Sequence, residues 1–199
     1  MVTWEISNAV VTIYFNVKLP LDKIANLIPY AQYDPETFPG LIIPLRGGGG
    51  KEENVKALVF NSGTINISGI KRLEDIEYVV EKLRELFKQI DIELPKEYKI
   101  KVQNIVVNGK FDYDNIDIVN LADEIPDSQY NPEAFPAVTV VFNISENYRV
   151  KFNVFKNGKF VCPGLKGEFN TFDAIKQHVD YVLNSFQEKV IKKYTKNSL

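Results

Sequence analysis

Gly47 to Gly50 followed by Lys51 is the first stretch whose residue types could do chemistry, because glycine-rich loops ending in lysine cradle phosphates. That chemistry needs wider glycine spacing, a Ser or Thr after the lysine, and a helix starting directly behind it. Here Glu52 and Glu53 follow and would repel a phosphate, so the segment reads as a long flexible hairpin connection. His178 is the one histidine and Cys162 the one cysteine. Zinc wants three or four such ligands, so His178 reads as a solvated or half-buried structural residue and a disulfide framework is excluded. The carboxylate pairs Glu52-Glu53 and Glu74-Asp75 fall in stretches expected to be exposed, without the apolar surroundings that would raise one of them to acid duty. No catalytic constellation and no cofactor site remain, and the chain reads as something other than an enzyme.

Four phenylalanines are different, because they come as two matched pairs. Phe38 and Phe135 follow turn residues and precede proline, while Phe60 and Phe155 stand where a strand runs out into a Gly turn. They match because the chain says the same thing twice. Gln32-Tyr33-Asp34-Pro35-Glu36-Thr37-Phe38-Pro39 returns about 97 residues later as Gln129-Tyr130-Asn131-Pro132-Glu133-Ala134-Phe135-Pro136. Ser7-Asn8-Ala9-Val10-Val11 returns as Gln103-Asn104-Ile105-Val106-Val107, Val59-Phe60-Asn61-Ser62-Gly63 as Val154-Phe155-Lys156-Asn157-Gly158, and Gly69-Ile70-Lys71 as Gly164-Leu165-Lys166. A period this long is no solenoid but a duplicated sub-domain, with repeats over 1–97 and 98–199 and an expected internal two-fold. An aromatic at a strand end ordinarily packs inward. Two symmetric pairs near hairpin edges are also the hardware for prying base steps apart from the minor groove of DNA. Asn8 and Asn104 begin the first strand of each half. Their amides serve either sheet-joining hydrogen bonds or the acceptors of central A·T pairs.

The elements that would position these residues repeat as well. Asn8 to Val17 and Lys101 to Asn108 alternate as strands. A short helix is expected to open over Leu19-Pro20-Leu21-Asp22, with the proline in its first turn, and another over Asn115 to Ala122. Three strands follow in each half: Leu41 to Leu45, Ala57 to Asn61 and Thr64 to Ser68, then Val138 to Asn143, Arg149 to Phe155 and Lys159 to Cys162. Leu73 to Ile90 and Thr171 to Ile191 carry apolar stripes at helical spacing, the second with Thr171 as N-cap. This order predicts an α+β fold: one curved antiparallel sheet of roughly ten strands with helices on one side and an open concave face on the other. A length of 199 residues with 45% hydrophobic content can bury a sizeable core. A formal net charge of -2 argues against a uniformly basic nucleic-acid binder, though not against a basic face. No apolar run approaches a membrane span, and the chain reads as soluble and intracellular.

Together, the Asn-x-Val, Tyr-[Asp/Asn]-Pro-Glu-x-Phe-Pro, Val-Phe-x-[Ser/Asn]-Gly and Gly-x-Lys blocks make the chain resemble the TATA-box-binding protein family of archaea and eukaryotes over about residues 6 to 190. The resemblance implies a saddle on promoter DNA. In it Phe38, Phe60, Phe135 and Phe155 are the kinking aromatics, Asn8 and Asn104 the central asparagines, and Val10 and Val106 apolar groove contacts. Lys71 and Lys166 are the basic positions of the Gly-x-Lys turns, with Ser68 and Arg46 among the other DNA contacts. It also implies a transcription factor B-like partner at Asn131, Glu133 and Ala134, a monomer or weak dimer, and a nucleoid setting in an archaeal or viral host cell.

Departures from the family pattern are equally specific. The arginines expected after Phe-Pro-Gly reduce to Arg46 in the first half, and Val138-Thr139-Val140-Val141-Phe142 carries none in the second. The threonine before Gly-x-Lys is Ser68 and then Pro163, which removes a ladder N–H. Asn66 and Asn153 stand where apolar groove residues are expected. These changes predict a near-neutral face, poorer in cations on the second half, with Pro163 breaking its regularity. DNA binding should then be weak at physiological salt and rescued at low salt, with a shallow salt slope. The alternative reading keeps the fold and drops the grip: a paralogue acting through transcription factor B or polymerase partners.

Overall fold

The computed structural model describes residues 2–46 and 54–195. The glycine-lysine connection of 47–53 lies outside the described residues, as does the side chain of Arg46. Two series with one order follow each other. The first is β1 (Thr3–Tyr14), α1 (Leu21–Leu27), β2 (Leu41–Arg46), β3 (Asn54–Val59), β4 (Thr64–Ile70) and α2 (Glu74–Lys88). The second is β5 (Lys99–Lys110), α3 (Ile118–Glu124), β6 (Ala137–Ser145), β7 (Tyr148–Phe155), β8 (Lys159–Phe169) and α4 (Phe172–Lys189), closed by a 3-10 turn over Ile191–Tyr194. The strands form an antiparallel sheet in the order β2-β3-β4-β1-β5-β8-β7-β6. There are eight strands among the described residues where the sequence led us to expect about ten. Gln32 and Gln129, just before the Pro turns, make only single bridges to Ile42 and Thr139 and never lengthen into strands. Among the described residues, no helix is long and apolar enough to cross a membrane.

The chain packs as two compact units. One holds Asn8–Asn104 with Lys166–Ala174, and the other holds Met1–Ser7, Ile105–Leu165 and Ile175–Leu199. In the first unit, strand alternation sends Val11, Ile13, Ala57, Val59, Ile65 and Ile67 to one side, all fully buried. The α2 stripe, Ile76, Val79, Val80, Leu83 and Phe87, is buried with them, as helical periodicity requires. Arg84 on α2 ties down the segment behind the helix. Its Nη1 and Nη2 donate to the carbonyls of Leu94 and Lys96 at 2.9 and 3.0 Å, and its guanidinium covers the rings of Phe15 and Tyr98.

The second unit is aromatic where the first is aliphatic. Phe152 on β7 stacks on Phe186 of α4 with ring centroids 3.8 Å apart, and Phe111 stacks on Phe160 at 4.4 Å. The start of β1 belongs to this unit: Trp4 Nε1 donates to Asp180 Oδ1 on α4 at 2.7 Å. Thr171 caps α4 as expected, its Oγ1 accepting from the Ala174 N–H. The helix expected over 115–122 begins instead at Ile118, because Asn115 adopts a left-handed φ of 57° and Asp117 caps the Asn120 N–H. Cys162 is buried and the pKa of its thiol is pushed up to about 12 by loss of solvation, so it stays protonated. His178 is half-buried against Tyr148 with the two rings nearly parallel, and burial lowers its pKa. Asp75 was expected in an exposed stretch. It is 1% exposed, held by Arg72 through Nε at 3.1 Å and Nη2 at 2.6 Å, a forked pair that lets a carboxylate be buried at the start of α2.

Candidate nucleic-acid interface

The other side of the sheet in each unit is open. In the first unit it carries Val10, Ser68, Asn66, Leu58 and Phe60 at half-burial, flanked by exposed Asn8 and Lys56. In the second it carries Val106, Val161, Asn153 and Phe155 at half-burial, with exposed Lys151 and Arg149. Although half-exposed among the described residues, this face is rich in aliphatic and aromatic side chains, the composition of surfaces that meet a partner.

The four phenylalanines lie in it as two pairs. Phe38 and Phe60 meet edge to face at 6.1 Å, and Phe135 and Phe155 do the same at 5.7 Å. Phe38 and Phe135 are 42% and 44% exposed, among the most exposed large apolar side chains, while their partners are half-buried. One ring of each pair thus stands on the other rather than sinking into the core. Turn chemistry holds the outer rings. Asp34 Oδ1 accepts from the Glu36 N–H, and the Thr37 and Phe38 N–H groups donate to the Asp34 carbonyl. Asn131 does the same for Glu133, Ala134 and Phe135. Thr37 Oγ1 adds a bond to Asp34 Oδ2 at 2.7 Å, which lowers the Asp34 pKa. Ala134 has no hydroxyl to repeat that bond, and the turn of Asn131, Glu133 and Ala134 is exposed.

Gly40 went unnoticed in the sequence. A Cβ there would lie 2.6 Å from Phe38 Cε1 and 2.9 Å from Leu58 Cδ1, so glycine is what lets the ring lie down over β3. Gly69 is equally constrained. At φ 85° it is the extra residue of a bulge, where Ala9 pairs with Ile70 and Val10 already with Ser68. Gly164, at φ 91°, is its counterpart. Pro163 stands directly before this positive-φ glycine, and β8 runs through both to Phe169 instead of breaking.

Asn8 is exposed and Asn104 half-buried, and among the described residues neither side chain makes a hydrogen bond. Lys71 and Lys166, each two residues after a positive-φ glycine, are both exposed. Charge on this face departs from expectation. Lys151 stands directly across the β6–β7 ladder from Val141, in the stretch that carries no arginine, and Arg149 pairs with Asn143 two residues earlier. The second half is not the poorer one. Lys56 and Lys151 occupy the same position of the repeat, two pleats before Phe60 and Phe155, and that repetition was the signal in the sequence that could have found them.

Comparison with known proteins agrees with this geometry. The family described as "Transcription factor TFIID (or TATA-binding protein, TBP)" matches residues 3–90 and again 99–185. The TATA-box-binding protein of Pyrococcus furiosus is 34% identical over 174 residues, covering 87% of this chain and 86% of the relative. That of Pyrobaculum islandicum is 32% identical over 175 residues, covering 88% and 83%. Among solved structures, the Methanococcus jannaschii protein of this family matches with a TM-score of 0.66 at 26% identity, covering 93% of this chain and 98% of the other. The fold is that family's fold, and the double match follows the duplicated element order. With the paired phenylalanines, the bulge glycines and the open sheet face all in place, the chain belongs to the TATA-binding protein family of transcription factors.

Proposed function

We propose that this protein is a general transcription initiation factor that binds the minor groove of A/T-rich promoter DNA with the open face of its sheet. The observation that carries this reading is the two edge-to-face phenylalanine pairs, held out of the core by Asx turns. An exposed aromatic ring on a soluble surface is costly unless it meets a partner, and a ring backed by a second ring is stiff enough to enter a base step. Around each pair the face offers what the A·T minor groove asks for: aliphatic surface from Val10, Leu58, Val106 and Val161, and amide donors from Asn8 and Asn104. Lys56, Lys71, Lys151, Arg149 and Lys166 supply the phosphate contacts. Arg46 joins them by position in the repeat. A sharp kink of the duplex at wedged base steps is already familiar for this family, and these rings are placed to produce it.

The exposed turn of Asn131, Glu133 and Ala134 is the docking surface for a transcription factor B-like protein, and the chain works in the nucleoid as a monomer or weak dimer. The decisive experiment is a gel-shift and end-to-end fluorescence measurement on a TATA duplex, with and without such a partner. The wild-type chain shifts and bends the duplex. The F135A/F155A double variant loses bending while its unfolding free energy moves by no more than about 1 kcal/mol, the range for substitutions outside the core. A wild-type chain that shifts no duplex even at low salt with its partner present would sink the reading.

A further inference from the structure

The open faces of the two halves differ at one pair of ladder positions. Leu58 on β3 is the cross-strand partner of Asn66 on β4, and Asn153 on β7 is the cross-strand partner of Val161 on β8. The repeat that sets Val59-Phe60 against Val154-Phe155 sets Leu58 against Asn153 and Asn66 against Val161. Each half therefore carries one aliphatic residue and one asparagine, in opposite order. Both asparagines are held. Thr12 Oγ1 donates to Asn66 Oδ1 at 2.7 Å, and Thr139 Oγ1 donates to Asn153 Oδ1 at 2.9 Å. Gln103 Nε2 in turn donates to Thr12 Oγ1 at 2.9 Å, consistent with the hydroxyl proton going to Asn66. Each amide thus spends its oxygen on a threonine and keeps its N–H donors, for which no acceptor is found among the described residues.

We infer that Asn66 and Asn153 are sequence-reading residues, each presenting hydrogen-bond donors to the base edge at a position where the other half presents only an aliphatic chain. The inference rests on the minor-groove reading above and deepens it. In that groove an A·T pair shows only acceptors, adenine N3 and thymine O2, while a G·C pair adds the guanine amino donor. A donor-only amide gains a bond over A·T and meets guanine donor to donor. Valine and leucine at the same place read shape and bulk. Because the asparagine sits on β4 in one half and on β7 in the other, the two halves of a binding site are read by different chemistry. The duplication alone would leave the protein indifferent to which way round it lies. These two exchanges give it a polarity.

The test is affinity for a set of A/T duplexes in which single adenines become 3-deazaadenine, or single thymines become an analogue without O2, one position at a time. Wild type, Asn66→Val and Asn153→Leu are compared. Each substitution installs the residue that the other half already carries at the matching position, so either variant alone suffices should the other fail to fold. Wild type is expected to lose about three- to tenfold at two positions, the worth of one net hydrogen bond each. One of those positions falls silent in Asn66→Val and the other in Asn153→Leu, and the two are not related by the centre of the site. Unchanged position profiles in folded variants that still bind, or two positions symmetric about the centre, overturn the inference. A wild-type chain that binds no duplex instead removes the minor-groove reading itself, and this inference with it.

Discussion

Lys56 and Lys151 are the residues through which the structure most changes the reading of this surface. Each is exposed, each precedes a paired phenylalanine by two pleats, and Lys151 faces Val141 across the ladder. A lysine in an alternating strand looks in sequence like any solvated position, so its meaning waits on pairing register. The phenylalanines needed no register, because the repeat itself paired them. If these lysines neutralise phosphates, Lys56→Ala and Lys151→Ala will each flatten the slope of log K against log salt by about one unit, by similar amounts in the two halves. Affinity measured across a salt series from low to physiological ionic strength checks this. A loss from Lys56→Ala with none from Lys151→Ala would restore the cation-poor second half that the sequence predicted. Gly40 and Gly69 show the complementary blindness: a glycine is visible in sequence, but the ring or bulge that demands it is not.

At the scale of elements, type and order were legible and ends were not. Apolar stripes at helical spacing located α2 and α4, and alternation in the first strand, turn signals and the repeat located the eight strands of the described residues. Boundaries moved because they are decided by single residues: Asp117 as a cap delayed α3, and the bulge at Gly69 let β4 continue to Ile70. The segment behind α2 gave no periodic signal, since Arg84 organises it rather than any pattern of its own. Both guanidinium arms bond carbonyls of that segment, and the planar face covers two aromatic rings. Arg84→Met, which keeps the apolar stem, is expected to cost about 2 kcal/mol in chemical denaturation, and Arg84→Lys will not recover it because an ammonium lacks the fork. Full recovery by lysine would show that charge alone holds the segment.

For the whole molecule, the repeats seen in sequence and the compact units seen in space do not coincide. The first unit takes Tyr98 to Asn104 and Lys166–Ala174 from the second repeat, and the second unit takes the first seven residues of the first. The borrowed pieces are bonded in. Gln103 reaches Thr12, and Lys101 pairs with Glu168 at 3.5 Å in the first unit. Ser7 Oγ donates to the Val106 carbonyl at 3.3 Å in the second. Sequence alignment of the repeats could not show this, because similarity marks where a copy begins and ends, not where its strands pack. We propose that the repeats 1–97 and 98–199 are evolutionary units but not folding units. Expressed separately, each should melt with little cooperativity or about 10 °C or more below the intact chain, because losing a few kcal/mol moves a domain of ~100 residues by that much. Circular dichroism melts decide it, and two fragments as stable as the whole would refute it.

The bond from Trp4 to Asp180 spans 176 residues. On a ribosome working at roughly 5–20 residues per second, the first strand waits on the order of ten seconds or more before its helix partner exists. Residues 9–14 of that strand can pair with β4 long before, so it is the first few residues around Trp4 that wait. Loop closure over such a distance is slow to be rewarded during refolding as well. Trp4 is the protein's one tryptophan, so its fluorescence reports a contact that only a finished chain can make.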